Sequence, residues 1–209
     1  ITGQAYGNGV YETDQSTYYR QDVGTTYSYW GGFSAFKSSD TTGYHGQSGE
    51  YTSGVYNSTN YIVSGYNGDW ISIQMPQKIQ LSKYGFKARP GGANFTDKAP
   101  GKYKIYGSND GSNWIVLVHK TSKISYPDQI QNANDYFEET VSIDESYNYF
   151  ALVVNEIEGN SNALNLDEWY IYGKEIETET TYAGGGGGMG SAGESATSTS
   201  GGKGGIGIY

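Results

Sequence analysis

The sequence predicts an all-β protein. Between Gly68 and Trp114, apolar and polar residues alternate with a period of two, the pattern of strands that bury one face. Asn109-Asp110-Gly111 is a strong reverse-turn signal within the same stretch. No run of ten or more residues carries apolar side chains at the 3.6-residue period of an amphipathic helix, so no substantial helix is expected.

Taken in order, residues 1–34 are rich in Gly, Tyr, Thr and Ser. Val10, Tyr11 and Thr13 begin a first strand. Tyr18-Tyr19 and Tyr27–Trp30 are aromatic clusters of a long loop, or of an arm that packs on something else. Residues 46–67 are polar, with Tyr51, Val55, Tyr56, Tyr61, Val63 and Tyr66 at irregular spacing. Ile71, Ile73 and Met75 then alternate with Ser72 and Gln74. Pro76 interrupts, Ile79 and Leu81 resume, and Tyr84, Phe86 and Ala88 alternate with Gly85, Lys87 and Arg89. These read as separate short strands, because proline removes a ladder donor.

After the loop Pro90–Gly101, Tyr103 and Ile105 alternate with Lys102 and Lys104. The turn at Asn109-Asp110-Gly111 leads to Trp114 and the apolar run Ile115–Val118. Residues 119–136 form a polar connection containing Pro127. Strands are expected again at Phe137–Ile143, Tyr149–Val154 and Asp167–Tyr172, with residues 155–165 as a loop.

Past Gly173 the composition changes. Residues 174–183 still alternate at first and serve as a linker or an added strand. Residues 184–209 hold twelve glycines among Ser and Thr, and end in Ile206, Gly207, Ile208 and Tyr209. Such a segment builds no core of its own, but glycine permits close backbone approach. It suits the addition of a strand to a neighbouring sheet edge, with Ile206, Ile208 and Tyr209 as assembly anchors.

Asp69-Trp70, Pro76, Ile79, Arg89, the string Tyr103–Trp114 (YKIYGSNDGSNW) and the closing Leu166–Gly173 (LDEWYIYG) together resemble the discoidin family, the coagulation factor 5/8 type C modules and their galactose-binding-like relatives. The resemblance covers residues 5–173. It implies an antiparallel jelly-roll β-sandwich whose loops at one end often bind glycans. The final GIGIY resembles the terminal strand of Gly-rich phage and virus fibre proteins.

The family also suggests a calcium-supported loop. Ala35-Phe36 matches its start, with Asp40 and Glu168 as the acidic metal residues. Calcium takes six to eight oxygens. Lys37 stands where the family usually has an acid, so a loop held by hydrogen bonds alone is the competing expectation.

Composition sets bounds on function. The net charge of -9 and pI near 4.6 argue against nucleic acid, which calls for a basic stripe, and against an anionic membrane surface. No apolar run approaches the ~20 residues of a spanning helix. There is neither an initiator Met nor a secretory apolar segment, as in a processed chain or an excerpt. The absence of cysteine excludes disulfides, thiolate zinc sites and a cysteine nucleophile. Twenty-two tyrosines suit either a turn-rich β surface or a contact surface, since the ring is apolar and the hydroxyl polar.

Catalytic motifs are missing. His45 and His119 stand far apart, and no nucleophile elbow or phosphate loop occurs. Glu138-Glu139 and Asp144-Glu145 are neighbours on strands, so their carboxylates point to opposite faces. Glu156 and Glu158 share a parity but begin a loop. The expectation is a non-catalytic protein.

The candidate glycan-binding residues are Tyr44, His45, Tyr56, Arg89, Asn94, Phe95, Asn160 and Asn162. Aromatic rings pack on the C–H face of a sugar, while Arg, His and Asn exchange hydrogen bonds with its hydroxyls. Asn57 and Asn94 head glycosylation sequons, and a glycan on Asn94 would block the adjoining loop. The expected role is that of a structural or adhesion subunit of an extracellular fibre, sheath or virus particle, self-associating and displaying a glycan-binding domain. The alternative is a monomeric lectin-like module excised from a larger secreted protein.

Overall fold

Twelve strands and one short 3-10 turn, Gly32–Phe36, make up the regular structure of the described residues. The structure is a computed structural model and describes residues 4–6, 9–19, 31–36, 43–89, 96–124 and 136–176. The strands are β1 (Gln4–Tyr6), β2 (Gly9–Gln15), β3 (Tyr44–His45), β4 (Tyr51–Thr52), β5 (Val55–Tyr56), β6 (Asp69–Lys87), β7 (Pro100–Ser108), β8 (Ile115–Lys120), β9 (Phe137–Thr140), β10 (Tyr147–Ile157), β11 (Asn165–Leu166) and β12 (Glu168–Ile176). The chain divides into two units, Ile1–Glu175 and Ile176–Tyr209. Of the second unit only Ile176 is described, so the assembly residues Ile206, Ile208 and Tyr209 lie outside the described residues.

The organising element is β6, nineteen residues long. Its first half lies between β2 and β10, with Glu12 opposite Gln74, Asp14 opposite Ser72, and Ile73 opposite Phe150. Its second half pairs with β9, Phe86 opposite Phe137. β12 also pairs with β6, and Ser82 Oγ donates to the Tyr172 carbonyl at 3.3 Å. β10 continues the first layer to β7, and β7 to β8. The pairings of β6 with β2, β10 and β9, of β10 with β7 and of β7 with β8 are antiparallel, as in a β-sandwich.

Pro76 corrects one expectation. It does not end a strand. The backbone stays extended through it, while the pairing changes partners and the register with β10 shifts between Tyr147 and Tyr149. A residue without an amide proton is tolerated where the ladder is already irregular. The β1–β2 hairpin packs there, where a Cβ on Gly9 would lie 2.8 Å from Pro76 Cβ. Within the polar residues 46–67, β4 and β5 form a hairpin whose Val55 lies opposite Glu156.

Side-chain parity sets the core. Ile71, Ile73, Phe150, Leu152, Val154, Tyr103 and Ile105 face inward and are buried. Tyr84, Phe86, Tyr103 and Phe137 form an aromatic cluster, with Phe86 and Tyr103 edge to face at 5.1 Å. The Tyr84 and Tyr103 hydroxyls satisfy each other at 2.9 Å. On the opposite face of the first layer, Tyr106, Ala151 and Val153 form a smaller cluster covered by Ile62, Val63, Tyr66, Trp70 and Trp114.

Three of the paired acids are held in ion pairs. Glu138 meets Lys83 at 2.8 Å and Glu139 meets Lys120, on opposite faces of β9. Glu156 is shared by Lys102 at 2.5 Å and Lys123 at 3.2 Å. No helix of the described residues is long and apolar enough to cross a membrane.

Candidate functional site

The loops at the C-terminal end of β6 converge on a two-stranded ladder. In it, β3 pairs with β11, Leu166 opposite Tyr44 and Asn165 opposite His45. Tyr44 and Leu166 are fully buried in the core. Neighbouring side chains alternate, so His45 and Asn165 share the other face. Backbone hydrogen bonds clamp the surrounding segments. Gly46 donates to the Leu164 carbonyl at 2.9 Å, Asn165 to Lys98 at 2.8 Å, Gly159 to Asp97 at 2.8 Å and Tyr19 to His45 at 2.7 Å.

The His45 Nδ1 contacts the Gly46 carbonyl at 2.6 Å. With the neutral ring donating through that nitrogen, Nε2 is the accepting one. Burial pushes the His45 pKa down, and the nearby positive charges of Lys98 and Arg89 push it further, against the pull of the Gly46 carbonyl. The imidazole is therefore neutral at neutral pH. The Tyr19 ring tilts over it, with centroids 4.8 Å apart. The Asn165 Oδ1 is buried and finds no hydrogen-bond partner among the described residues. Such an atom costs about 1–3 kcal/mol when left unpaired.

Beneath this ladder lie two buried carboxylates. Asp167 pairs with Lys87 Nζ at 3.1 Å. Asp69 Oδ1 accepts from Ser16 Oγ, from Thr17 Oγ1 at 3.0 Å and from Tyr44 Oη at 2.9 Å. Burial raises the Asp69 pKa to about 6, although the three hydroxyls oppose the shift.

Of the residues expected from sequence, His45 and Arg89 come together electrostatically. Tyr44 does not offer a platform. Its ring is fully buried and its hydroxyl donates to the Thr17 carbonyl at 2.9 Å and to Asp69, so it is a core residue. Tyr56 is also buried, edge to face with Tyr51 at 5.2 Å. Asn160 and Asn162 are exposed in the β10–β11 loop, where the Asn162 carbonyl accepts from Gly49 at 3.0 Å. Asn57 is exposed and its Nδ2 donates to Thr52 Oγ1 at 2.6 Å. Asn94, Phe95 and Asp40 lie outside the described residues.

Glu168 is half-buried at the start of β12 and accepts a hydrogen bond from the Tyr170 hydroxyl. Among the described residues no group of three or more His, Asp or Glu side chains could hold a metal ion. One carboxylate engaged by a tyrosine does not make a calcium site by itself.

The sequence reading missed Tyr19, Lys98 and Asn165. For Asn165 a signal existed: Leu164 and Leu166 flank it at strand parity, which turns Asn165 to the other face.

Known structures share this architecture. A fragment from Bacteroides thetaiotaomicron named as a chitobiase superposes with a TM-score of 0.56 at 16% identity, covering 85% of this chain and 96% of the fragment. A family 32 carbohydrate-binding module of Clostridium perfringens, solved with GalNAc-β-1,3-galactose, gives 0.52 at 14% identity over 82% of this chain and 99% of the module. A second family 32 module, from a family 31 glycoside hydrolase of the same organism, gives 0.52 at 14% identity over 78% and 91%. The fold is the discoidin-like, galactose-binding-like β-sandwich. No protein-family model and no curated protein matches the chain by sequence. In this galactose-binding-like sandwich, His45, Arg89, Lys98 and Asn165 gather at one end, joined by the Tyr19 ring.

Proposed function

We propose that the chain is a non-catalytic glycan-recognition module that reads a neutral sugar at the His45–Asn165 end. The observation that carries this is the neutral imidazole of His45, set across the ladder from Asn165 and beside the part-exposed cationic donors Arg89 and Lys98. Sugar hydroxyls both donate and accept, so they suit the His45 imidazole as donors and Arg89 as acceptors. Tyr19 supplies a flat apolar edge. The galactose-containing ligand of a module with the same fold supports galactose and N-acetylgalactosamine as the first sugars to test.

The test is calorimetric titration of the full chain with galactose, N-acetylgalactosamine and their disaccharides, in calcium and in chelator. Saturable binding lost in Arg89→Ala and Asn165→Ala, with melting temperatures within a few degrees of the parent, is the expected result. No binding across the sugars would end the reading. A calcium requirement would bring in the Asp40 and Glu168 site.

We also infer display of this module on an extracellular assembly through residues 184–209. The support is compositional: twelve glycines with Ile206, Ile208 and Tyr209 at the end. Deleting residues 184–209 should abolish assembly while the domain stays soluble and folded. Assemblies that persist unchanged after the deletion would end the tail's role in assembly.

A further inference from the structure

On the face of the first layer that points away from the core, we propose a second glycan site, for a neutral linear oligosaccharide. A groove of 380 Å³ lies there, lined among others by Glu12, Asp14, Gln74, Trp70, Trp114 and Tyr149. That volume falls within the ~300–1,000 Å³ of small-ligand pockets.

Register builds the groove. Glu12, Gln74 and Tyr149 form one cross-strand row. Asp14, Ser72 and Ala151 form the next. The small residue Ser72 leaves the middle of the floor low, while larger side chains rise around it. Trp70 stands one row further along β6, and Trp114 meets Tyr149 edge to face at 6.3 Å. Tyr61, 52% exposed, and Ile62 come from the connection between β5 and β6.

Both walls are held before any ligand arrives. The wall carrying Tyr61 is pinned by Gly68 donating to the Asn60 carbonyl at 3.0 Å, and by Asn155 Nδ2 donating to the Asn67 carbonyl at 2.8 Å. The wall carrying Trp114 is a turn organised by Asp110. Its Oδ1 accepts from the Ser112 amide at 2.8 Å and the Asn113 amide at 2.7 Å. Its Oδ2 accepts from Asn113 Nδ2 at 2.7 Å. Gly111 keeps φ at +71°, and a Cβ there would sit 3.2 Å from the Tyr149 ring.

The lining selects the ligand class. Aromatic rings offer apolar faces to the C–H surfaces of a sugar. Two carboxylates and an amide offer acceptors to its hydroxyls. Glu12 and Asp14 repel uronic and sialic acids, so the sugar is neutral. A groove along the sheet face accepts a chain in passing, whereas the His45–Asn165 end is built from converging loops. This site therefore stands apart from the proposed loop-end site in residues and in ligand shape.

The experiment uses the full chain carrying Arg89→Ala, which disables the loop end and leaves the groove intact. It is titrated with neutral β-1,4- and β-1,3-linked glucose and galactose tetrasaccharides, and with a galacturonic acid tetrasaccharide as the anionic contrast. Binding is followed by calorimetry and tryptophan emission. The expected result is saturable binding of at least one neutral tetrasaccharide with a change in emission. Gln74→Ala and Glu12→Ala, both on strands with solvent-facing side chains, should each weaken it by about tenfold without moving the melting temperature. Trp114→Phe should remove most of the emission change. No saturable binding of a neutral tetrasaccharide overturns the proposal, as does binding only of the anionic one. Binding indifferent to Gln74→Ala and Glu12→Ala overturns it as well. Failure here leaves the loop-end reading untouched, since that reading is tested in the parent chain with short sugars.

Discussion

Lys87 and Asp167 hold the end of β6 against the start of β12. The ammonium lies 3.1 Å from the carboxylate, the two side chains are 11% and 1% exposed, and the Asp167 amide donates to the Lys87 carbonyl at 2.9 Å. The backbone link and the ion pair together place Arg89 and the β3–β11 ladder at one end of the sandwich. Removing one partner leaves a buried charge, so Asp167→Ala is expected to cost about 3–5 kcal/mol in chemical denaturation. The double change Lys87→Met with Asp167→Leu should cost far less. Equal losses for single and double variants would show that the pair's charge is not what matters.

Asp69 titrates in the opposite sense to most carboxylates. Its folded-state pKa is raised from 3.8 to about 6, chiefly by burial. The folded protein therefore holds a proton that the unfolded chain releases first. This contribution to stability is fully present below pH 3.8 and is lost as pH rises through about 6. Asp69→Asn stays neutral throughout. Its stability relative to the parent should climb by about 3 kcal/mol across that window and stay level above it. Urea denaturation at a series of pH values checks this, and parallel curves would contradict it.

His45 is held below its ordinary 6.5 by burial, Lys98 and Arg89. Sugar affinity at the loop end should stay constant as pH falls through 6.5, and drop only below it. For the same reason the unfolded chain takes up the proton first, so His45 subtracts stability as the solution becomes acidic. A loss of affinity centred at or above 6.5 would mean that His45 is not the acceptor.

The β4–β5 hairpin turns on Ser53, φ +49°, and Gly54, φ +82°. A Cβ at Gly54 would lie 2.1 Å from the Gly159 carbonyl oxygen. Both backbone strain and the collision with main chain oppose a side chain, so Gly54→Ala should destabilise by more than ~1 kcal/mol. Thermal melting measures it. A neutral outcome would show that the 158–164 loop yields.

The strands were legible because alternation is written in adjacent residues. Ile71-Ser72-Ile73-Gln74 declares its buried face without reference to anything else. Arg89 and His45 were legible as chemistry, since their residue types suit sugar hydroxyls. Tyr44 was misjudged for the reverse reason. Its phenol suits a sugar equally well, and only the Leu166 pairing and the Asp69 hydrogen bond send it inward. Asp69 itself gave no sign in the sequence of being buried beneath three hydroxyls.

The sequence by itself determined the all-β class, the parity of each strand and the turn at Asp110, because each depends on neighbours along the chain. The tertiary structure alone decided that β6 runs through Pro76 from one layer to the other. It alone set Asn165 opposite His45, and Glu12 and Gln74 in one row with Tyr149. Those relations are matters of register between distant strands. A slip of one residue leaves the local pattern of each strand unchanged while it turns every side chain to the opposite face, so register is settled only when the whole core packs at once.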